Sequence, residues 1–433
     1  MEQALKFSPV AGRARIDVLD ILRGLAILGI YFMNVPIEAV SAPLAFGDVR
    51  AIGWTVADQN AWVAIQLALE GTQRCMLEFL FGAGMMVLAA RAMEPDGPVA
   101  IADLHLRRNI WLLMFGLFDI FVVLWVGDIL SIYAIAALFL FPFRRMKPRG
   151  LVALGCGFAL LTLIGGGLQY ADRAALSARV EAAHHHQATH QPLSAVDQKA
   201  LADWQKLLDE RKLSRETRQE IAAEAKAHRG GYLDYAKLYW NDWLKYLWGS
   251  GFFILTVVEA FCAMLIGIAL WKWGVIQGQR SALFYAITLI LAYGFGLAAR
   301  WIGVTEMLSF SPIPKTIWMT SEFARLAMGL GHVSLINLLM KAAAGRTAFS
   351  LYFLQQLISL HLLFAPYALN RWGGYGWADL ALIAIVMYVG LLLLANLWVR
   401  FFVNGPMEWL WRSLAYLKWQ PFLRREGAGT ASA

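Results

Sequence analysis

The sequence predicts an all-α polytopic membrane protein: about ten transmembrane helices, both termini cytoplasmic, and an external helical hairpin loop. Three observations predict it. Of the 433 residues, 59% are hydrophobic and 16% charged, against about 25% charged in a soluble domain. Apolar windows near or above the ~18 residues that cross a bilayer recur along the chain. The segments between them alternate between rich and poor in Lys and Arg.

The windows fall at 18–38, 61–90, 108–125, 129–143, 151–170, 249–271, 281–301, 316–340, 347–369 and 377–399. The first begins with Asp20 and Arg23 and lacks a small-x-small cleavage site, so it reads as an uncleaved span. The third and fourth meet at a turn, Gly127-Asp128. With the N-terminus inside, the cytoplasmic segments hold 19 Lys and Arg. The short outside loops hold four: Arg50, Arg300, Lys315 and Arg371. The net charge of +8 is thus a cytoplasmic excess beside the lipid bilayer and gives no sign of nucleic-acid binding.

Three regions follow: 1–170 with five spans, 171–248, and 249–433 with five spans and a tail. Residues 171–248 are polar and carry twelve of the 38 Lys and Arg. Long external segments cross regardless of charge. Residues 198–230 read as helical, and the aromatic, basic stretch 232–248 suits an amphipathic helix on the outer interface. The tail has Trp409, Trp411, Tyr416 and Trp419 among cations, which suits the cytoplasmic interface. Glu408 and Arg412 are spaced i,i+4 in the favourable order for a helix pair.

An ionisable group inside a span costs about 2.5–3.5 kcal/mol or more unless paired or wetted. Asp20, Arg23, Arg74, Glu78, Asp119, Glu259, Glu322, Arg325, His332 and His361 are therefore candidates. Arg23 and Asn34 are eleven residues apart, about 20° past three helical turns, so they share a stripe about 16 Å long. Asp20 lies beside Arg23 and can pair with it, which makes the stripe either functional or a structural seam. Arg108 and Asp119 repeat the spacing. Asp119 reads as a proton donor or acceptor, or as half of an ion pair with Arg74 or Arg325. Asp128 is placed to cap the fourth span, or to form a site at the outer turn. Glu322 and Arg325 are i,i+3 partners, and His332 follows on the same face. Arg325 is then an anion clamp and His332 a base, or both are interior hydrogen-bonding groups.

His186 and His190 have i,i+4 spacing without a supporting carboxylate, so no metal is assigned. Cys75, Cys156 and Cys262 lie in apolar windows and form neither a metal spacing nor a disulfide framework.

The strings "LDILRGLAILGIYFMN", "FLFGAGM", "GDILSIYA", "GRTAFSLYFLQQLI" and "GPMEWLWRSLAYLKWQP" resemble the YeiB-like bacterial membrane protein family, catalogued as domain of unknown function family 418. The resemblance covers the chain outside 171–248 and implies a multi-pass protein of the bacterial cytoplasmic (inner) membrane. The first span is similar to that of integral membrane acyltransferases, where an Arg is followed by a His thought to be catalytic. Here the Arg is Arg23 and the His position holds Asn34, which cannot titrate. The YeiB-like family more often carries a His in the third span, where this chain has Asp119. The resemblance implies transfer of an acyl group from a cytoplasmic donor such as acyl-CoA to an envelope acceptor, with no bound cofactor. Arg23 and Arg108 would meet the donor's phosphates, and Asp119, Asp128 and His332 would move protons. A permease, or a non-catalytic scaffold whose outer hairpin binds a partner, is the alternative.

Overall fold

The computed structural model describes residues 17–89, 100–210, 212–339 and 348–423. No β-strand occurs among them, apart from an isolated bridge between Phe402 and Leu423. In chain order the helices are α1 (Asp17–Ala39), α2 (Ala42–Ala45), α3 (Val56–Ala68), α4 (Thr72–Ala89), α5 (Ala100–Phe118) and α6 (Leu130–Leu138). Then come α7 (Pro148–Gly155), α8 (Gly157–Ala188), α9 (Ala195–Asp209), α10 (Arg215–Ala227) and α11 (Tyr232–Asp242). The last are α12 (Phe252–Lys272), α13 (Ala282–Leu308), α14 (Ile317–Leu339), α15 (Ala348–Gln356), α16 (Trp377–Phe401) and α17 (Pro406–Ala415).

Among the described residues five segments are long and apolar enough to cross a membrane: Ile21–Ala39, Pro148–Ala188, Phe252–Lys272, Ala282–Leu308 and Trp377–Phe401. Their outer faces are apolar. Leu161 and Ile164 on α8, Ile290 and Leu291 on α13, and Val386 and Leu393 on α16 are all exposed. Such continuous apolar surface suits lipid rather than water. The remaining expected spans are shorter or interrupted. Window 61–90 breaks between α3 and α4, where Gly71 takes a φ of +63° that a side chain would strain. Window 108–125 passes from α5 into a π-turn, Asp119–Val123, ended by left-handed Leu124. Window 347–369 is α15 followed by a second π-turn, Leu357–Leu363.

Small residues let the central helices touch backbone to backbone, as packing without a hydrophobic drive requires. A Cβ at Gly82 of α4 would strike the Met264 carbonyl of α12, and one at Gly267 of α12 would strike the Phe79 carbonyl of α4. A Cβ at Gly166 would likewise run α8 into the Trp318 carbonyl of α14. One carboxylate links two helix starts: Asp58 accepts from Thr55 N at 2.9 Å in the cap of α3 and from Ala378 N at 2.9 Å on α16. Those backbone N–H groups, Ala378 first, hold the Asp58 carboxyl below its ordinary range.

The polar region is helical. α8 runs 32 residues without a break through the expected span boundary at 170. His186 Nδ1 lies 3.2 Å from Asp197 of α9. The stretch 232–248 packs one face on the bundle: Tyr235 and Ala236 are fully buried, while Leu233 and Trp248 are exposed. Its aromatics therefore serve protein contacts as well as an outer surface.

Gly82→Leu or Gly267→Leu should force α4 and α12 apart, and overpacking of this kind costs about 1–3 kcal/mol or more. Size-exclusion and thermal unfolding in detergent should show loss of the folded species or a lowered Tm. Gly84→Leu, where a Cβ meets nothing within 4 Å, should leave both unchanged.

Candidate functional site

The interior charges gather around a cavity of ≈ 260 Å³ between α3, α4, α8, α12, α13 and α14. It is lined by Glu70, Arg74, Glu259, Arg300, Glu322 and Arg325, with Phe158 and Thr162 of α8 closing one side. Arg325 is the hub. Its Nη1 donates to Glu78 Oε2 at 2.7 Å, its Nη2 lies 2.9 Å from Glu259 Oε1, and its Nε donates to Glu322 one turn earlier. Three carboxylates from α4, α12 and α14 thus share one planar guanidinium, whose fork of five donors suits several acceptors at once.

Arg74 completes the ring. Its Nη2 donates to Glu259 Oε1 at 2.5 Å, and its Nε stands 3.7 Å from Glu78 Oε1. The Glu78 side chain is fully buried, whereas that of Arg74 keeps 24% of its surface open. Arg300 takes a different task. Its guanidinium donates to the Leu67 carbonyl at 3.0 Å and to the Glu70 carbonyl, at the C-terminal end of α3. A cation there satisfies carbonyls that have no partner within the helix and offsets the helix dipole. The cavity lining pairs three carboxylates (Glu70, Glu259, Glu322) with three guanidiniums, and Glu78 is buried behind Arg325.

A second polar centre, fully buried, joins the π-turn after α5 to α15. Asp128 accepts from Leu130 N at 2.9 Å and Ser131 N at 2.8 Å and so caps α6. Tyr352 OH lies 3.4 Å from Asp128 Oδ1. With its amide turned to satisfy both ends, Gln356 donates to Asp119 Oδ1 at 2.7 Å and accepts from the Trp125 indole at 3.2 Å. Asp119 and Asp128 interact directly. The partners of Asp119 are therefore Gln356 and Asp128, where the sequence suggested Arg74 or Arg325.

The other candidates are dispersed. His332 bonds Tyr293 OH at 3.2 Å and the Met328 carbonyl at 3.0 Å, in the α13–α14 contact. His361 bonds the Val123 carbonyl at 2.8 Å and Tyr367 OH at 2.5 Å. Arg23 and Asn34 are half-buried on α1, and the side chain of Asp20 lies outside the described residues. Arg108 is held against the C-terminal helix, its guanidinium 4.5 Å above the Trp411 ring while Trp411 Nε1 donates to the Arg108 carbonyl at 3.0 Å. Arg23 acts on Arg108 electrostatically. Glu408 accepts from Phe349 N at 2.5 Å, from Ser350 N, and from the Ser350 hydroxyl, so it caps α15 from α17. Arg412 lies one turn further along α17.

Sequence reasoning had Arg74, Glu78 and Glu259 as candidates without seeing that they meet. The i,i+4 spacing of Arg74 and Glu78 was a usable signal. Arg300 was counted as an outer-loop cation, although it is 5% exposed and sits inside α13.

Comparison with known proteins gives the kinship. Residues 270–418 match the family described as "Protein of unknown function (DUF418)". The uncharacterized protein YxaH of Bacillus subtilis (strain 168) is 26% identical over 441 residues, covering 96% of this chain and 98% of that protein. The uncharacterized protein YeiB of Escherichia coli (strain K12) is 26% identical over 420 residues, covering 92% and 95%. No solved structure matches the chain. The chain is thus similar to YxaH and YeiB along nearly its whole length, and the family match lies in its C-terminal part.

Arg325→Gln should leave three carboxylates without their shared cation, and breaking a buried pair costs about 3–5 kcal/mol. Thermal unfolding in detergent should show a larger Tm loss than for Glu322→Gln, and adding Glu78→Gln to Arg325→Gln should recover part of it. Unchanged Tm for Arg325→Gln would remove its central place.

Proposed function

We propose that this protein spans the bacterial cytoplasmic membrane about ten times with both termini inside, and passes a small zwitterionic solute through the Arg74–Glu259–Arg325 cavity. One observation carries this reading: a charged cavity sits where a span is broken. The end of α3, capped by Arg300, and the start of α4 meet at Gly71 beside the cavity wall. Irregular backbone inside a membrane bundle is tolerated where it lines a cavity, and discontinuous helices build the sites of many transporters. The volume, ≈ 260 Å³, is below the ~300–1,000 Å³ usual for drug-sized ligands, so the solute is small. The lining carboxylates Glu70, Glu259 and Glu322 suit an ammonium group. The partly open Arg74 and neighbouring Arg300 favour a carboxylate at the other end.

Acyl transfer, the activity the resemblance implies, is the second reading. It is favoured by the cations Arg108, held under Trp411 of α17, and Arg23, which acts on it; two such cations suit the phosphates of a donor such as acyl-CoA. Asp119 and Asp128 would then supply the proton-transfer pair.

Counterflow of labelled zwitterionic amino acids into proteoliposomes separates the two. The first reading expects exchange without a covalent product. Arg74→Gln should raise the half-saturating concentration about tenfold or more, since a hydrogen bond to a charged group is worth about 1.5–3 kcal/mol. No exchange across the panel, with acyl-CoA thioester consumed instead, would overturn it in favour of the second.

A further inference from the structure

α10 and α11 form an external cap whose seam with the bundle is polar at four points. Ala42 N donates to Glu224 Oε2 at 3.0 Å, and Tyr235 OH donates to the Leu360 carbonyl at 2.9 Å. Trp240 Nε1 donates to the Phe121 carbonyl at 3.1 Å, and the His228 ring stacks on Trp372 at 4.0 Å. Beneath this seam, on the last turn of α1, lies Glu38, with no exposed surface. Among the described residues neither of its carboxyl oxygens has a hydrogen-bond partner.

The groups that face Glu38 are hydroxyls: Tyr31 from its own helix, Tyr235 and Tyr239 from α11, and Ser359 from the second π-turn. Tyr31 and Ser359 are bonded to each other at 2.8 Å. His228, packed on Tyr235 and Tyr239, is pushed down to about 4 by burial, so it adds no cation near neutral pH. The cap's Lys245 is bonded to Glu220 at 2.8 Å and acts on Glu224. Burial, with help from Asp242, pushes the Glu224 carboxyl up to about 8, and burial pushes Asp242 up to about 6. A buried carboxylate with no cation beside it and no hydrogen bond made to it is not sustained as the ion; such a group neutralises instead. The space along this seam between Val40, Glu224 and Tyr239 is ≈ 10 Å³, about one water at most. Only a proton fits.

We propose that Glu38 is a proton-binding site, loaded while the α10–α11 cap is seated and unloaded when the cap lifts. Two of the four hydroxyl groups enclosing it belong to α11, so lifting the cap hydrates the carboxyl and lets it ionise. The sign follows. A carboxyl that holds its proton more tightly in the seated state favours seating at low pH. That preference is lost as pH rises through the range in which the carboxyl ionises. Glu224 acts in the same direction, between its ordinary 4.5 and about 8. The site is independent of what the charged cavity binds.

The test uses the full chain in nanodiscs, in a Glu224→Gln background that removes the second acid. Infrared difference spectra against Glu38→Gln should contain the C=O band of a protonated carboxyl near neutral pH. Hydrogen exchange of the α11 amides, corrected for intrinsic rate, should quicken with pH by up to about tenfold per unit, the dependence of one proton. Glu38→Gln, which mimics the neutral acid, should flatten that dependence. No carboxyl band in the difference spectrum, or an unchanged pH dependence in Glu38→Gln, overturns the proposal. Should Glu38→Gln not fold, pH-independent α11 exchange in Glu224→Gln alone overturns it, and the tenfold dependence supports it.

Discussion

Three carboxylates compete for one guanidinium at the centre of this protein. Arg325 meets Glu78, Glu259 and Glu322, and so fixes α4, α12 and α14 in one register. In a membrane the drive to pack apolar helices is weak, so specificity must come from close contact and polar pairing. A buried ion network is weak evidence of stability in itself, because desolvation offsets much of the attraction. Its value here is directional: a slip of one residue along any of the three helices would strand a charge. Gly71 shows how tightly this is enforced. A Cβ there would come within 2.9 Å of Arg325 Cδ, and the backbone already requires a positive φ.

The interior thus holds separate polar centres rather than one. The Arg325 cluster opens on a cavity, the Asp119–Asp128–Gln356 cluster is sealed, and Glu38 lies under the cap. Each sits beside an interruption in a helix: the break at Gly71, the π-turn ending at Leu124, and Pro36 near the end of α1. Freed backbone groups at such points need polar neighbours, so breaks and polar side chains occur together.

Much of this was legible in advance, and the limits were physical. Composition and window length made the chain helical and membrane-embedded, because lipid leaves a chain few other options. Periodicity placed Glu322 beside Arg325, since three residues apart is a local geometry. It could not say that Glu78 and Glu259 would reach the same guanidinium, because partner choice across helices depends on packing that no single helix encodes. Arg300 was misassigned because an Arg at the end of an apolar run looks like a loop anchor, whereas it turns inward to cap α3. Glu38 is the last residue of its window, where a charge looks like the end of a span rather than part of its interior. The third span ended early for the same kind of reason: nothing in "FDIFVVLW" signals a widened turn.

α8 runs from the cavity wall into the polar region 171–248. Phe158 and Thr162 line the cavity, and the same unbroken helix ends at Ala188, where His186 holds α9. From Thr162 to Ala188 is about 39 Å of continuous helix. A rod of that length is a lever: a tilt of about 5° at the cavity carries its far end about 3 Å. The cavity wall and the attitude of α9 are therefore joined through one rigid helix. A binder clamped on α9 would act on the cavity without touching it.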